Sequence, residues 1–284
     1  MWQIDPPSYT AASSFRACIS RVRNRDLKER LHDVEGKIVL ADQDYTAAAN
    51  NVTLHSLEPK NFSLDPRVTG QELIGVYKNG MVRRGGGGRK IYDELILAAK
   101  DGRCPLCGHR QVSTLDHHLP KTIYPALAVN PNNLIPACSD CNKMKLDAVP
   151  ASSDQETLHP YFDNVENDAW LRAEVVEVTP AALKFYIDPP DSWDSTMVRR
   201  VNLHFKTFGL GGLYAAQASY ELSNIRYYLS QIYAAGPTGG TERVRKHLKD
   251  QAQSRRNANT NSWQTATYQA LADSLWYCSD GFSI

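Results

Sequence analysis

Two Cys-x-x-Cys pairs constrain this chain more than any other feature of its 284 residues. The pairs are Cys104–Cys107 and Cys138–Cys141, and 30 residues separate them. Two residues between thiolates allow a tight turn that places both sulfurs on one side of a tetrahedral Zn²⁺, at about 2.3 Å. A single pair would also fit a redox motif. Two pairs in one chain favour metal, and we predict one structural zinc ion per chain.

The spacing between the pairs is longer than the roughly 15–20 residues of an ordinary zinc ribbon. A further structure is therefore expected to fold between them. Gly108 follows the second cysteine directly and suits a turn that needs a positive φ. The remaining cysteines, Cys18 and Cys278, lie on apolar helical faces and are predicted to be small buried hydrophobes.

Composition and patterning bear on where the protein acts. The N-terminal residues show no secretory pattern, and no run of about 20 apolar residues predicts a membrane span. We expect a cytoplasmic protein whose thiols stay reduced, which again favours metal over disulfides. The formal net charge is only +1, so a nucleic-acid partner would have to be bound by local basic patches. Four such patches are Arg21–Arg30, Arg83–Lys90, Arg199–Arg200, and Arg243–Lys249 with Arg255–Arg256. The last two lie on predicted helices, where an exposed charged face is expected.

The segment between the cysteine pairs carries groups suited to metal-dependent chemistry. Asp116 offers a hard oxygen ligand beside His117, an imidazole that can accept a proton near neutral pH. Asn142 adds a neutral amide oxygen just after the second pair. A site with so few protein ligands leaves positions open for water and phosphate, as Mg²⁺ sites in phosphoryl transfer do.

The order of these residues resembles the HNH nuclease motif of ββα-metal enzymes over about 45 residues. The matching positions are Asp116, His117, Pro120, Asn133, Leu134, Cys138, Cys141, Asn142 and Lys145. The resemblance implies that the chain is a metal-dependent endonuclease with a ββα core.

Roles for individual residues follow from the resemblance. It implies that Asp116 and Asn142 hold one catalytic divalent ion, Mg²⁺ or a similar metal. His117 would be the general base that deprotonates water for attack on a phosphodiester. Asn133 would brace the loop bearing the histidine, and the cysteines would lock the two ends of the ββα unit.

The identity of the base has an alternative in the neighbouring histidine. Adjacent residues of a regular strand face opposite sides, so Asp116 would share a side with His118 rather than with His117. Pro120 must end the strand nearby and permits local distortion. The motif favours His117, with His118 as the alternative base or a supporting group. Lys121 either contacts phosphate or is simply solvated.

A narrower resemblance rests on two short stretches, Leu115–Pro125 and Leu158–Asp163. They resemble the HNH component of Septu-type and retron-linked anti-phage systems. This likeness implies a defence nuclease that works with a partner ATPase of the ABC or SMC-like kind. His159 in the second stretch either approaches the active site or belongs to a capped turn.

Helical patterns dominate the rest of the chain. We predict an α+β fold with a zinc-stabilised ββα core (101–150), a helical N-terminal region (1–100) and a C-terminal region (151–284) that combines a β-hairpin with helices. The hairpin is predicted over Trp170–Val178 and Ala182–Asp188, and four helices over 195–208, 214–234, 241–258 and 262–277. The glycine run within Arg83–Lys90 predicts a flexible linker, with a phosphate contact as the alternative.

Three functions remain open from the sequence. DNA cleavage is the leading hypothesis. The others are RNA cleavage by the same site and a zinc-stabilised nucleic-acid-binding subunit without turnover.

Overall fold

The structure, a computed structural model, describes residues 1–283 and divides the chain into two compact units, Met1–Asn164 and Val165–Ile284. The predicted regions 1–100 and 101–150 both lie within the first unit, whereas 151–284 spans the boundary. Helices and two small two-stranded sheets make up the described residues, which confirms the mixed α and β class. No helix among them combines the length and apolar character needed to span a membrane.

Five helices precede the cysteine pairs in the first unit. They are α1 (Ala11–Ile19), α2 (Arg25–Asp33), α3 (Glu35–Asn50), α4 (Gly70–Val76) and α5 (Arg89–Leu97), with a π-helical turn at Tyr77–Val82 extending α4.

Capping residues set two of the helix starts. The Asn24 side chain accepts a hydrogen bond from the Leu27 amide, so α2 begins anew after α1 has ended. The basic patch Arg21–Arg30 therefore begins between the two helices and continues along α2. Thr69 caps α4 in a reciprocal capping box with Glu72.

The cysteine segment shares its core with the N-terminal helices. Buried side chains from both parts form one apolar cluster, which includes Phe15, Ile38, Tyr45, Leu73, Leu115, Leu127 and Leu134. Burial in a common core means that the small strand pair is supported by the preceding helices as well as by the cysteines.

Two short strands and a helix lie between and after the cysteine pairs. Strand β1 (Thr114–His117) pairs antiparallel with β2 (Leu134–Ala137), with Asp116 opposite Ile135 and His117 opposite Leu134. Helix α6 (Ser139–Lys145) follows β2 directly. The segment thus has a strand–strand–helix order.

The glycine run is packed rather than flexible, and the prediction of a solvated linker is wrong. A Cβ on Gly87 would lie 2.2 Å from the Ala17 carbonyl oxygen, and one on Gly88 would lie 2.4 Å from the Cys18 sulfur. Glycine is needed at these positions because the loop touches the backbone at the end of α1.

The second unit contains the predicted hairpin and four helices. Strand β3 (Leu171–Val176) pairs antiparallel with β4 (Ala182–Ile187), and α7 (Ser195–Thr207), α8 (Leu210–Ala234), α9 (Gly240–Ala258) and α10 (Trp263–Asp273) follow. Helix α8 packs on β4 and α10 packs on β3. The Asn261 amide fixes the start of β3 by accepting hydrogen bonds from the Trp170 and Leu171 amides.

Two of the predicted basic patches are partly structural. Arg200 is buried. The Arg243 guanidinium donates to the Ile232 and Tyr233 carbonyls at the end of α8, and Arg255 stacks on the Tyr268 ring at 3.9 Å. The expectation of simple exposed charged faces is wrong for these residues, because their cations satisfy carbonyls and aromatic faces within the unit.

Candidate metal centre and adjacent polar pocket

The four predicted cysteines meet in one buried cluster. One sulfur from each of Cys104, Cys107, Cys138 and Cys141 lies within 4.8 Å of the others. All four are free thiols, and none is more than 3% exposed. Within residues 1–283 this is the only group of three or more His, Cys, Asp or Glu side chains placed to hold a metal ion.

Local backbone geometry builds each half of the cluster. In the first half, the Gly108 amide donates to the Cys104 carbonyl at 2.7 Å with a φ of +62° at Gly108. The Arg110 amide points to the Cys107 sulfur at 3.4 Å. In the second half, the Cys141 amide donates to the Cys138 sulfur at the start of α6. Amides directed at sulfur favour the thiolate form.

The donor set fits a metal ion such as zinc. Hydrogen bonding among the four thiols lowers the pKa of Cys107 and Cys138 and raises the pKa of Cys104 and Cys141. Several thiolates so close together in a buried site repel one another, and a cation among them removes that penalty. Outside the cluster, Arg110 and Asp140 form an ion pair of 2.9 Å that joins the two halves.

A polar pocket of about 450 Å³ brings together three of the predicted catalytic residues, Asp116, His117 and Asn142. Asp116 and His117 come from β1 and Asn142 from α6. His118 is not among the residues that line this pocket.

Hydrogen bonding fixes the tautomer of His117. Its Nε2 lies 2.8 Å from the Ala128 carbonyl oxygen, which can only accept, so Nε2 carries the proton. The lone pair of the neutral ring is therefore on Nδ1. Burial, together with the positive charge of Lys121, lowers the pKa of His117 to about 3. The Tyr77 ring packs against the imidazole with the centroids 4.5 Å apart.

Asp116 presents an incompletely satisfied carboxylate to the pocket. Its Oδ2 is buried and makes no hydrogen bond, although Lys145 Nζ lies 3.3 Å away. Burial raises the pKa of Asp116, and the Lys145 charge opposes that rise. Lys145 also donates to the His117 carbonyl at 2.6 Å, so it is held in place by β1. This oxygen is ion-paired with Lys145 but accepts no well-aligned hydrogen bond from the described residues, so it can still accept a further donor or a cation.

Asn133 ties together the loop between the two strands. Its Oδ1 accepts from the Leu119 amide at 2.7 Å, and its Nδ2 donates to the Leu119 and Leu127 carbonyls. Its backbone carbonyl accepts from the His118 amide at 2.8 Å. The side chain is fully buried, and the loop it ties includes Ala128, the partner of His117.

His118 and His159 pack against each other, away from the pocket lining. Their ring centroids are 4.2 Å apart, and both residues are buried. His159 shares a hydrogen bond of 2.9 Å with the Tyr45 hydroxyl. Its amide donates to the Asp163 carboxylate. The stretch around His159 is thus a capped turn that supports the strand pair.

Lys121, which the sequence analysis considered as a phosphate contact, lines the pocket together with basic and aromatic residues that the sequence analysis missed. Lys78 and Lys143 are exposed at its lining, and Lys121 is half-buried with its ammonium 5.5 Å from the Tyr77 ring centroid. Tyr77 and Lys78 lie almost 40 residues before Asp116 in the chain, and no local motif marked them.

The comparisons with known proteins add one relative. Protein ea31 of Escherichia phage lambda is 29% identical over 233 residues, which cover 78% of this chain and 77% of that protein. No family model and no solved structure matches the chain.

Proposed function

We propose that this chain is a metal-dependent HNH endonuclease that hydrolyses phosphodiester bonds of DNA. The observation that carries the proposal is the convergence of Asp116, His117 and Asn142 on one pocket, with the His117 lone pair fixed on Nδ1. A carboxylate and an amide oxygen can together hold a divalent ion, and a neutral imidazole can act as a general base, which is a combination that supports phosphodiester hydrolysis.

The pocket suits a divalent ion with few protein ligands. The Asp116 carboxylate has an oxygen without a hydrogen bond, and the Asn142 amide supplies a second hard oxygen donor. Mg²⁺ prefers such oxygen ligands and keeps positions for water and phosphate. When bound, the ion would neutralise charge on the scissile phosphate and the leaving oxygen.

His117 is assigned the role of general base. Nδ1 removes a proton from a water molecule, the water oxygen forms a bond to phosphorus, and the bond to the leaving oxygen breaks. The Nε2–H bond to the Ala128 carbonyl holds the ring and stabilises the imidazolium that results. An incoming anionic phosphate raises the basicity of His117 because its charge opposes that of Lys121.

Three lysines serve substrate binding in this proposal. Lys78, Lys121 and Lys143 line the pocket that also contains Asp116 and His117. Their ammonium groups can neutralise phosphates on either side of the scissile bond.

The cysteine cluster is assigned a structural zinc ion, one per chain. Four buried thiols form a closed site with no position for substrate, as in structural rather than catalytic zinc centres. The ion would join the turn before β1 to the start of α6 and thereby hold Asn142 near Asp116.

We also propose that the nuclease is the effector of an anti-phage system with an ABC or SMC-like ATPase partner. Two short motifs support this, and the second packs under β2, where the Tyr161 hydroxyl donates to the Leu134 carbonyl at 2.8 Å. Co-purification of the chain with the products of its neighbouring genes tests the partnership. A monomer that cleaves DNA efficiently at physiological salt would count against a targeting partner.

Purified protein incubated with plasmid DNA and with total RNA tests the activity. We expect Mg²⁺-dependent nicking of plasmid by wild type and none by His117→Ala. Cleavage of RNA alone would transfer the proposal to a ribonuclease. Binding without turnover of either substrate would indicate a nucleic-acid-binding subunit.

A further inference from the structure

A second cavity of the first unit carries positive charge that the protein does not neutralise. This arginine cleft has a volume of about 580 Å³, and Arg21, Arg23 and Arg83 line it. Its apolar lining includes Val22, Leu27 and Val76. The residues Asp116, His117 and Asn142 take no part in it.

Most other arginines of this unit are already paired with carboxylates. The ion pairs are Arg16–Glu35, Arg25–Glu29, Arg30–Glu72, Arg67–Asp33, Arg89–Asp93 and Arg110–Asp140. Throughout residues 1–283, by contrast, no carboxylate forms an ion pair with Arg21, Arg23 or Arg83. Uncompensated guanidinium groups around a cavity make a site for an anion.

The one acidic residue of the cleft does not cancel this charge. Glu72 is bound to Arg30 at 2.7 Å and accepts a hydrogen bond from the Thr69 amide. Hydrogen bonding to Arg30 is the main reason that the pKa of Glu72 falls to about 2. Its negative charge is therefore already engaged by a residue that does not line the cleft.

The walls of the cleft are fixed in place before any ligand binds. Arg21 donates to the Gly85 carbonyl at 2.9 Å, which joins the residues after α1 to the glycine run. Gly80 packs so closely on the end of α1 that an added Cβ would lie 2.3 Å from the Cys18 carbonyl oxygen. The backbone frame of the cleft is therefore preformed, which avoids part of the ordering cost of binding.

The cleft and the catalytic pocket share one wall. Tyr77, Lys78 and Val82 line the pocket, whereas Gly75, Val76, Asn79, Gly80 and Arg83 line the cleft. The two cavities therefore lie on different faces of the helical segment 75–83. A helix with its side chains is about 10 Å across, so the two cavities are separated by about that distance. The same distance spans about three nucleotides of a duplex at 3.4 Å per step.

We propose that the arginine cleft binds the sugar-phosphate backbone of the substrate strand, a few nucleotides from the bond cleaved in the catalytic pocket. The arginines contact phosphate, and the apolar lining contacts sugar or base. This inference rests on the proposed nuclease function, which supplies the strand, but it concerns a separate set of residues.

Binding of a short fluorescein-labelled DNA duplex, followed by anisotropy over a range of salt concentrations, tests the cleft. The His117→Ala protein serves as the background, so that the probe stays intact. Adding Arg23→Gln and Arg83→Gln should weaken binding on the order of tenfold and lower the slope of log affinity against log salt by about 1.8, or 0.9 per lost phosphate contact. Arg21 is kept because it also holds Gly85.

The matched control is Arg25→Gln with Arg84→Gln, which removes the same charge from nearby residues outside the cleft lining. Equal losses in the two pairs of variants, or no loss in either, would overturn the cleft. If a mononucleotide competes as effectively as an equal concentration of duplex, that result would show that the cleft binds a small anion and not a nucleic-acid strand.

Cleavage by the otherwise wild-type protein keeps the two proposals apart. If the protein nicks plasmid and Arg23→Gln/Arg83→Gln leaves DNA binding unaltered, the proposal for the cleft is refuted and the proposal of a nuclease stands. If DNA binding depends on these arginines but no cleavage occurs, the proposal for the cleft is supported and the proposal of a nuclease is refuted. Circular dichroism checks that the variant is folded and keeps the thermal stability of the parent protein.

Discussion

The cysteine cluster and the polar pocket meet on helix α6, where Cys141 and Asn142 are consecutive residues, yet the two sites are built in different ways. The cluster is closed, and its four identical ligands come from one short turn and from the start of α6. The pocket is open, and its carboxylate, imidazole and amide depend on supports from elsewhere, including Tyr77, Ala128 and Lys145. A closed site can be specified by local spacing, whereas an open site needs its surroundings.

The largest effect should come from opening the closed site. Cys138→Ser should abolish metal binding and unfold the 101–150 segment, because structural zinc contributes roughly 10–16 kcal/mol, comparable to a domain's whole stability. The zinc content measured by metal analysis should fall from one ion per chain to none, and cooperative thermal unfolding should be lost.

Cys278→Ser is the matched control for that variant. Cys278 is also a buried free thiol, and its sulfur donates to the Leu271 carbonyl in the second unit. This variant should keep its zinc. A Cys138→Ser protein that is folded and active without metal would remove the structural role of the cluster.

Substitutions at the open site should distinguish residues needed for catalysis from residues needed for stability. His117→Ala should lower the cleavage rate by about 10²–10⁴-fold with zinc content unchanged, because a general base contributes that much. His118→Ala should instead lower thermal stability while cleavage persists below the melting temperature, since its ring packs on His159. The reverse outcome, with cleavage lost only in His118→Ala, would move the base by one residue.

Support of the open site by the loop can be tested on neighbouring asparagines. Asn133→Ala should destabilise the protein by about 2–4 kcal/mol, because it leaves buried amide and carbonyl groups of Leu119 without their partners. Asn132 is only partly buried and bonds to Asp42, so Asn132→Ala should cost about 1 kcal/mol or less. Chemical denaturation measures both. Equal effects would show that Asn133 has no special bracing role.

The smallest expected effect concerns the glycine run behind the pocket wall. Gly87→Ala should destabilise the protein by about 1–3 kcal/mol, because the added Cβ meets Ser20 Oγ at 2.1 Å and the Ala17 carbonyl. Gly85 has open space around it, so Gly85→Ala should be nearly neutral in thermal unfolding. A neutral Gly87→Ala would instead restore the picture of a loose linker.

Several features could be predicted from the sequence because their causes are local. The spacing of the cysteine pairs predicted the cluster, and a positive φ at Gly108 fits the turn it needs. The C-terminal hairpin and the four helices after it were also predicted, since alternation and helical periodicity are short-range signals. The motif from Asp116-His117 to Asn142 could be recognised from the order of its residues. That order does not determine the distances between their side chains in the folded protein.

Tertiary structure alone decided which groups surround those residues. The bond from His117 to Ala128 depends on a loop held by Asn133, and Tyr77 reaches the imidazole from a helix almost 40 residues earlier. The glycine run looked flexible because composition reports intrinsic freedom, whereas contact with α1 removes it. Charge was misjudged for the same reason. The sequence counts arginines, but only the fold determines that Arg30 has a carboxylate partner and that Arg23 has none within residues 1–283. Spacing along a chain fixes contacts over a few residues, and packing fixes all the others.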